Sequence, residues 1–238
     1  MITTAVIIAG GEGSRLKPLT DAVPKAMVPL LGRPMLYWII RWLKSNGISK
    51  LVVGVAHKKD VVVEYLRSAA DFDIDLHISE HTLEGGTAQG FHRAIQRFVD
   101  ADVFLAMNCD EITNLSVAGM EEIHTRHSPL MTMALSPFHC RFSVVNTNPE
   151  GMVSGFRYGH MLRDVLVSIG IYLFSRRIVE YIPETGSIEN AVFSPLSDQS
   201  NVAAYTLGSA EEWISVNDVK DLREAESSLR RFYGITAV

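Results

Sequence analysis

Thr4-Ala5-Val6-Ile7-Ile8-Ala9-Gly10-Gly11-Glu12-Gly13-Ser14-Arg15-Leu16 carries an unbroken apolar run straight into three glycines and an arginine. Apolar residues without polar alternation, stopped by glycine, are the pattern of a parallel strand buried on both faces. The loop then begins at a strand's carboxyl end, the side on which open α/β sheets bind ligands. Gly10, Gly11 and Gly13 offer backbone N–H groups unblocked by side chains, and Arg15 adds a guanidinium, so the loop suits an anionic phosphate. It is not a Walker A loop, because no Gly-Lys-Ser/Thr follows. Nor is it a dinucleotide fingerprint, because Arg15 stands where helix packing needs a small residue.

Outward from this loop the pattern repeats. Residues 34–44 place apolar side chains over a wide helical face, and Asn46-Gly47 ends the helix. A second buried strand is expected at 50–56, a helix at 60–70, a third strand at 75–79, a helix at 87–98, and a fourth strand at 103–108 ending on Cys109-Asp110. Alternating strands and helices imply a Rossmann-like, doubly wound, mixed but mostly parallel sheet in three α/β/α layers. After Asp110 the rhythm changes. A helix at 116–127 precedes short antiparallel strands at 130–135, 143–146, 151–156 and 166–174. Helical turns at 178–181 and 188–196, a strand at 202–207 and a helix at 219–232 complete the chain. No repeat or linker divides it, so one domain over 1–238 is expected, with 1–110 and 111–238 as two halves of the same sheet.

Composition narrows the classes. With 238 residues, 47% of them hydrophobic, the chain can close a sizeable core. A formal charge of -5 without a basic run argues against nucleic acid and anionic membrane surfaces as partners. Apolar runs are too short or interrupted to span a bilayer. Cys109 and Cys140, without metal-type spacing or a leader segment, fit a reducing cytoplasm. His124 and His127 share a helical face and read as a solvated pair rather than metal ligands.

The loop is followed by Leu16-Lys17-Pro18-Leu19-Thr20, then Pro24-Lys25-Ala26-Met27-Val28-Pro29, then Gly32-Arg33-Pro34-Met35. This combination resembles the sugar-1-phosphate nucleotidylyltransferase family in its short single-domain form, nearest in character to mannose- and heptose-1-phosphate guanylyltransferases. The resemblance is specific through about Asp110 and weaker beyond. It implies that Ala9, Gly10, Gly11, Gly13 and Ser14 hold nucleotide phosphates, that Arg15 and Lys25 are catalytic, and that Asp110 ligates Mg2+. The family's glycine before that aspartate is Cys109 here. Its base-binding segment corresponds to Ser79-Glu80 and Gly85-Gly86-Thr87-Ala88, with one extra residue between the two parts. Glu80, Gly86 and Thr87 are therefore expected at the base. A carboxylate at 80 accepts but cannot donate, which favours the N–H edges of guanine, then cytosine.

Other segments depart from the family. In Trp213-Ile214-Ser215-Val216-Asn217-Asp218, Ser215 fills the usual second metal-aspartate slot, so Asn217 is expected as the second Mg2+ ligand, with Asp218 in reserve. Either is also a good helix N-cap. Phe156-Arg157-Tyr158-Gly159 and Ser168-Ile169-Gly170 lack the family's usual sugar-phosphate contacts, leaving Arg157 or Arg163 as acceptor-binding candidates. Arg141-Phe142-Ser143-Val144 stands where relatives carry a motif near the sugar. The resemblance implies a nucleoside triphosphate, GTP before CTP, and a phosphorylated sugar as partners, in a possible homodimer. Three competing readings stay open: a non-catalytic binder of nucleotide or sugar phosphate, a cytidylyltransferase for a non-sugar phosphate, and a nicotinamide-dependent oxidoreductase.

Overall fold

The computed structural model describes residues 1–68 and 72–236. In chain order its main elements are β1 (Thr4–Ile8), β2 (Pro29–Leu30), β3 (Arg33–Pro34), α1 (Met35–Ser45), β4 (Lys50–Val55), α2 (Lys59–Ser68), β5 (Asp75–Glu80), α3 (Gly86–Phe98), β6 (Val103–Asn108), β7 (Glu111–Thr113), α4 (Val117–His127), β8 (Met131–Thr147), β9 (Val153–Ser175), α5 (Ser194–Asp198), β10 (Val202–Thr206), β11 (Trp213–Ser215) and α6 (Val219–Tyr233). Positions 69 and 70 of the expected second helix lie outside the described residues.

Among the described residues, seven strands form one sheet in the order β10-β8-β9-β6-β1-β4-β5. All neighbours are parallel except where β9 runs against β6 and β8. The chain fills β4 and β5 on one side of β1 before returning to β6 on the other, which places the topological switch between the carboxyl ends of β1 and β6.

Every residue of β1 is buried because each of its faces meets a separate apolar layer. Ala5 and Ile7 pack with α1, α2 and α6, whereas Val6 and Ile8 pack with α3 and the 178–196 segment. This is the three-layer arrangement, and it explains why β1 reads as a continuous apolar run. Helix α1 buries Trp38 and Trp42 without stranding their indole N–H groups, which donate to Leu30 O at 2.8 Å and Leu115 O at 3.1 Å. Gly47, at φ 84°, allows the turn that ends α1.

Several expectations beyond Asp110 are corrected. The four short strands are two long ones, β8 and β9, joined in a hairpin. Register shifts between Pro137/Phe138, Cys140/Ser143 and Asn146/Thr147 interrupt alternation and make each strand read as fragments. β10 pairs with β8 only along Met131–Leu135, and β6 meets β9 only along Ile171–Ser175. Farther out the described hairpin is a two-stranded ribbon with both edges open. Phe142, Phe156 and Tyr158 there are exposed. The 178–181 turn is a 3-10 helix over Arg176–Tyr181, and a π-helical turn at Glu189–Phe193 leads into α5. The short antiparallel pair β7–β11 has no counterpart in the sequence reading. His124 is not solvated: it is buried, with Nδ1 2.9 Å from Thr132 Oγ1 and Nε2 3.2 Å from Ser175 Oγ. No described helix is long and apolar enough to cross a membrane.

Candidate active site

The loop after β1 is shaped by glycine at two points. Gly13 adopts φ 68°, and a Cβ there would lie 2.9 Å from Thr20 Cγ2 and 3.0 Å from Lys25 Cβ. Gly10 has no room either, because its Cβ would stand 2.6 Å from His81 Nε2. The loop thus closes onto Lys25, whose backbone N–H reaches Gly11 O at 3.4 Å, while Thr20 Oγ1 donates to Gly13 O at 2.9 Å. Ser14–Leu16 form a 3-10 turn that buries Leu16 and leaves Arg15 exposed.

A cleft of about 330 Å3 opens at the switch point, lined by Ala9, Gly11, Gly13, Ser14, Arg15, Lys25, Thr87, Asp110 and Asn217 among others. Four of these polar groups touch. Lys25 Nζ is 2.6 Å from Asp110 Oδ2 and donates to Asn217 Oδ1 at 3.1 Å; Arg15 Nη2 donates to the same Asn217 oxygen at 2.7 Å. Two cations and two oxygen donors from the loop after β1, the end of β6 and the start of α6 therefore share one polar cluster.

Asn217 and Asp218 separate by role. Asp218 is the N-cap of α6, accepting from Lys220 N at 2.8 Å and Asp221 N at 3.0 Å in a reciprocal capping box, and it does not line the cleft. Asn217 faces the cleft and donates through Nδ2 to Ser215 Oγ at 2.8 Å. Sequence reasoning missed Asp221, although Asp218-x-x-Asp221 before an apolar-periodic helix has the spacing of a capping box. It also missed Glu111, a buried carboxyl that accepts from Trp213 Nε1 at 2.6 Å. Burial, reinforced by the neighbouring Asp110, pushes Glu111 well above the usual carboxylate range. Cys109 is buried too, and the same desolvation drives its thiol upward, so it is a packing residue rather than a nucleophile.

Of the other expected residues, only Thr87 lines the cleft among the described residues. Glu80 lines a separate groove of about 600 Å3 with Arg67, Arg93 and Arg97. Its Oε2 is 2.6 Å from Lys59 Nζ, a contact that holds its carboxyl below the ordinary range. Gly86, at φ 65°, starts α3 against the 186 loop, where a Cβ would lie 2.4 Å from Gly186 O. Thr87 lines the cleft and accepts from Ile188 N at 3.0 Å. Arg157 and Arg163 are exposed on β9, outside the cleft.

The family model described as "Nucleotidyl transferase" matches residues 4–231, nearly the whole chain. The chain belongs to this family. The chain is 25% identical over 241 residues to a UTP–glucose-1-phosphate uridylyltransferase of Synechocystis, covering 93% of this chain and 62% of that one. It is 28% identical over 239 residues to a probable mannose-1-phosphate guanylyltransferase of rice, covering 95% and 66%. It thus spans less than two thirds of the length of either relative. A heptose 1-phosphate guanylyltransferase of Campylobacter jejuni matches at 26% over 175 residues, 73% of this chain and 76% of the relative. The fold is shared with HddC from Yersinia pseudotuberculosis at a TM-score of 0.74 and 21% identity, covering 96% of this chain and all of that one. A putative glucose-1-phosphate thymidylyltransferase from Bacillus anthracis gives 0.75 at 22% identity, with 96% and 95% covered.

Proposed function

We propose that this chain transfers a nucleotidyl group from a nucleoside triphosphate to a sugar-1-phosphate. The anionic phosphate oxygen of the sugar attacks the α-phosphorus in line, the α–β bridging P–O bond breaks, and pyrophosphate leaves as the nucleoside diphosphate sugar forms. The observation that carries this reading is the cluster of Arg15, Lys25, Asp110 and Asn217 at the switch point of the sheet. Because the nucleophile is already an anion, the reaction needs no Ser-His or Cys-His base. It needs positioning and neutralisation of crowded phosphate oxygens. Gly11 and Gly13 line the cleft without side chains and would leave their backbone N–H groups open to phosphate, while Arg15 and Lys25 would supply charge.

The donor set suits a hard divalent cation. Asp110 Oδ2 and Asn217 Oδ1 both point at one cationic atom, Lys25 Nζ, so two oxygens already converge where positive charge is held. One carboxylate and one amide oxygen make a donor set that Mg2+ accepts, since that ion takes few protein ligands and fills its shell with phosphate and water. Asp110 and Asn217 would hold Mg2+, and the ion would neutralise charge on the phosphate oxygens.

GTP is the first donor in this reading and CTP the second. Guanylyltransferases among the relatives support GTP, although a uridylyltransferase is also similar. Glu80 gives less support, since it is tied to Lys59 outside the cleft. A second reading, binding without turnover, is favoured by one observation: among the described cleft-lining residues Asp110 is the only carboxylate, with Ser215 standing behind Asn217. A matrix of triphosphates against sugar-1-phosphates, with Mg2+ present and pyrophosphate detected, tests both. Pyrophosphate from a guanine or cytosine pairing supports transfer; binding without release across the matrix supports the second reading.

A further inference from the structure

Asp221 is a carboxylate 1% exposed, and its two oxygens serve different parts of the chain. Oδ2 accepts the backbone N–H groups of Asn217 at 2.9 Å and Asp218 at 3.0 Å. Oδ1 accepts from the guanidinium of Arg141, eighty residues earlier. Arg141 sits on β8 where Arg141 and Phe142 intervene between the pairs Cys140↔His160 and Ser143↔Tyr158, a bulge of the kind that re-aims a side chain. Its other terminal nitrogen, Nη1, is 3.6 Å from Asp218 Oδ2, so one guanidinium spans both acids of the α6 capping box.

On its far side Asn217 is equally occupied. Its Oδ1 receives Arg15 and Lys25, and its Nδ2 donates to Ser215 Oγ. A continuous polar chain thus runs from the hairpin through Arg141, Asp221 and Asn217 to the two cations of the cleft.

We infer that Arg141 is a positioning residue for the proposed transfer: through Asp221 it fixes the backbone of Asn217, and Asn217 sets where Arg15 and Lys25 present their charge. The inference rests on the proposed function and deepens it by connecting the exposed hairpin to the phosphate end of the cleft. Deleting the guanidinium leaves a buried carboxylate without its cation, and the cap that holds Asn217 loosens. Lysine replaces it poorly, because a point charge cannot span two carboxylates as a planar fork does.

A double-mutant cycle tests this, using Arg141→Ala, Asn217→Ala and the combination, with Arg141→Lys and Asp221→Asn alongside. Pyrophosphate release gives kcat and KM, GTP titration gives Kd, and thermal melts confirm cooperative folding. Arg141→Ala is expected to lower kcat about 10-fold with the acceptor KM within about 2-fold, yet to change kcat less than about 2-fold when Asn217 is already alanine. Arg141→Lys falls between wild type and Arg141→Ala. Asp221→Asn, which keeps the shape and loses the charge, reproduces the effect and replaces Arg141→Ala should that variant not fold. Equal losses in both backgrounds, or an acceptor KM effect without a kcat effect, overturn the inference. If wild-type chain releases no pyrophosphate with any pairing, the proposed function falls, and the cycle is read in GTP Kd, where additive effects or an absence of GTP binding overturn the inference.

Discussion

Lys25 Nζ lies 2.6 Å from Asp110 Oδ2, a charge-assisted contact that joins the loop after β1 to the turn after β6 across the switch point. Both side chains are mostly enclosed, so each is the other's nearest charge in a site of reduced dielectric. Lys25→Ala, Arg15→Ala and Asp110→Ala are each expected to lower turnover on the order of 10²-fold while the chain still melts cooperatively. Near-normal pyrophosphate release from all three would remove the proposed transfer.

Gly13→Ala places a side chain at φ 68°, where an L-residue costs about 1–2 kcal/mol, and pushes its methyl onto Thr20 and Lys25. At about 2–4 °C per kcal/mol for a chain of this size, the melting midpoint falls by several degrees. Gly11→Ala is the control, since a Cβ there meets nothing within 4 Å. Equal midpoints for the two variants in scanning fluorimetry contradict the prediction.

Asp218→Ala removes a cap that accepts two backbone N–H groups, a loss of about 1 kcal/mol. The midpoint drops by about 2–4 °C. The Mg2+ dependence of turnover moves far less than in Asn217→Ala, because Asp218 caps α6 instead of facing the cleft. A marked rise in the Mg2+ requirement would return Asp218 to the metal site.

Glu80→Gln breaks the Lys59 pair at the surface of the second groove. Exposed pairs of this kind contribute little to stability. Relative kcat/KM for GTP, CTP and UTP is expected to change by less than about 2-fold, well short of the roughly 1–3 kcal/mol that a direct base contact carries. A larger shift between bases restores Glu80 to nucleotide recognition.

Stability should fall on mild acidification. Burial lowers the pKa of His81, with Arg93 adding to the effect, and burial alone lowers that of His124. The unfolded chain therefore binds protons before the folded one does. Their contribution is fully present above the ordinary histidine value near 6.5 and is lost as pH falls from there toward the depressed folded values. His81→Asn is expected to flatten the decline in melting midpoint between pH 7.5 and 5.5; an unchanged slope refutes the assignment.

The parallel half was legible because its strands are buried on both faces, so β1, β4 and β6 announce themselves as apolar runs stopped by glycine or polar residues. Residues 14–25 and Asp110 were legible because they follow such strands directly. β8 and β9 were not, because bulges shift their register and large apolar side chains remain on the exposed ribbon. For a smaller reason, Glu80 stands apart from the cleft that Thr87 lines. Successive strand residues face opposite ways, so Glu80 opens on the outer groove while His81, next in line, packs against Gly10. One register step separates the two outcomes. Asn217 and Asp218 were distinguishable only in three dimensions, because both residue types cap helices equally well.

The unequal reach of β8 and β9 also gives the chain two clocks. Amide protons on β1, β4 and β6 are locked between paired neighbours and apolar layers, so they exchange with solvent only when the whole sheet opens. Those on the outer ribbon are guarded by a single partner strand, and they exchange through local fraying that leaves the rest intact. The hairpin can breathe many times within one lifetime of the folded sheet, with Arg141 marking where its motion meets the slower part.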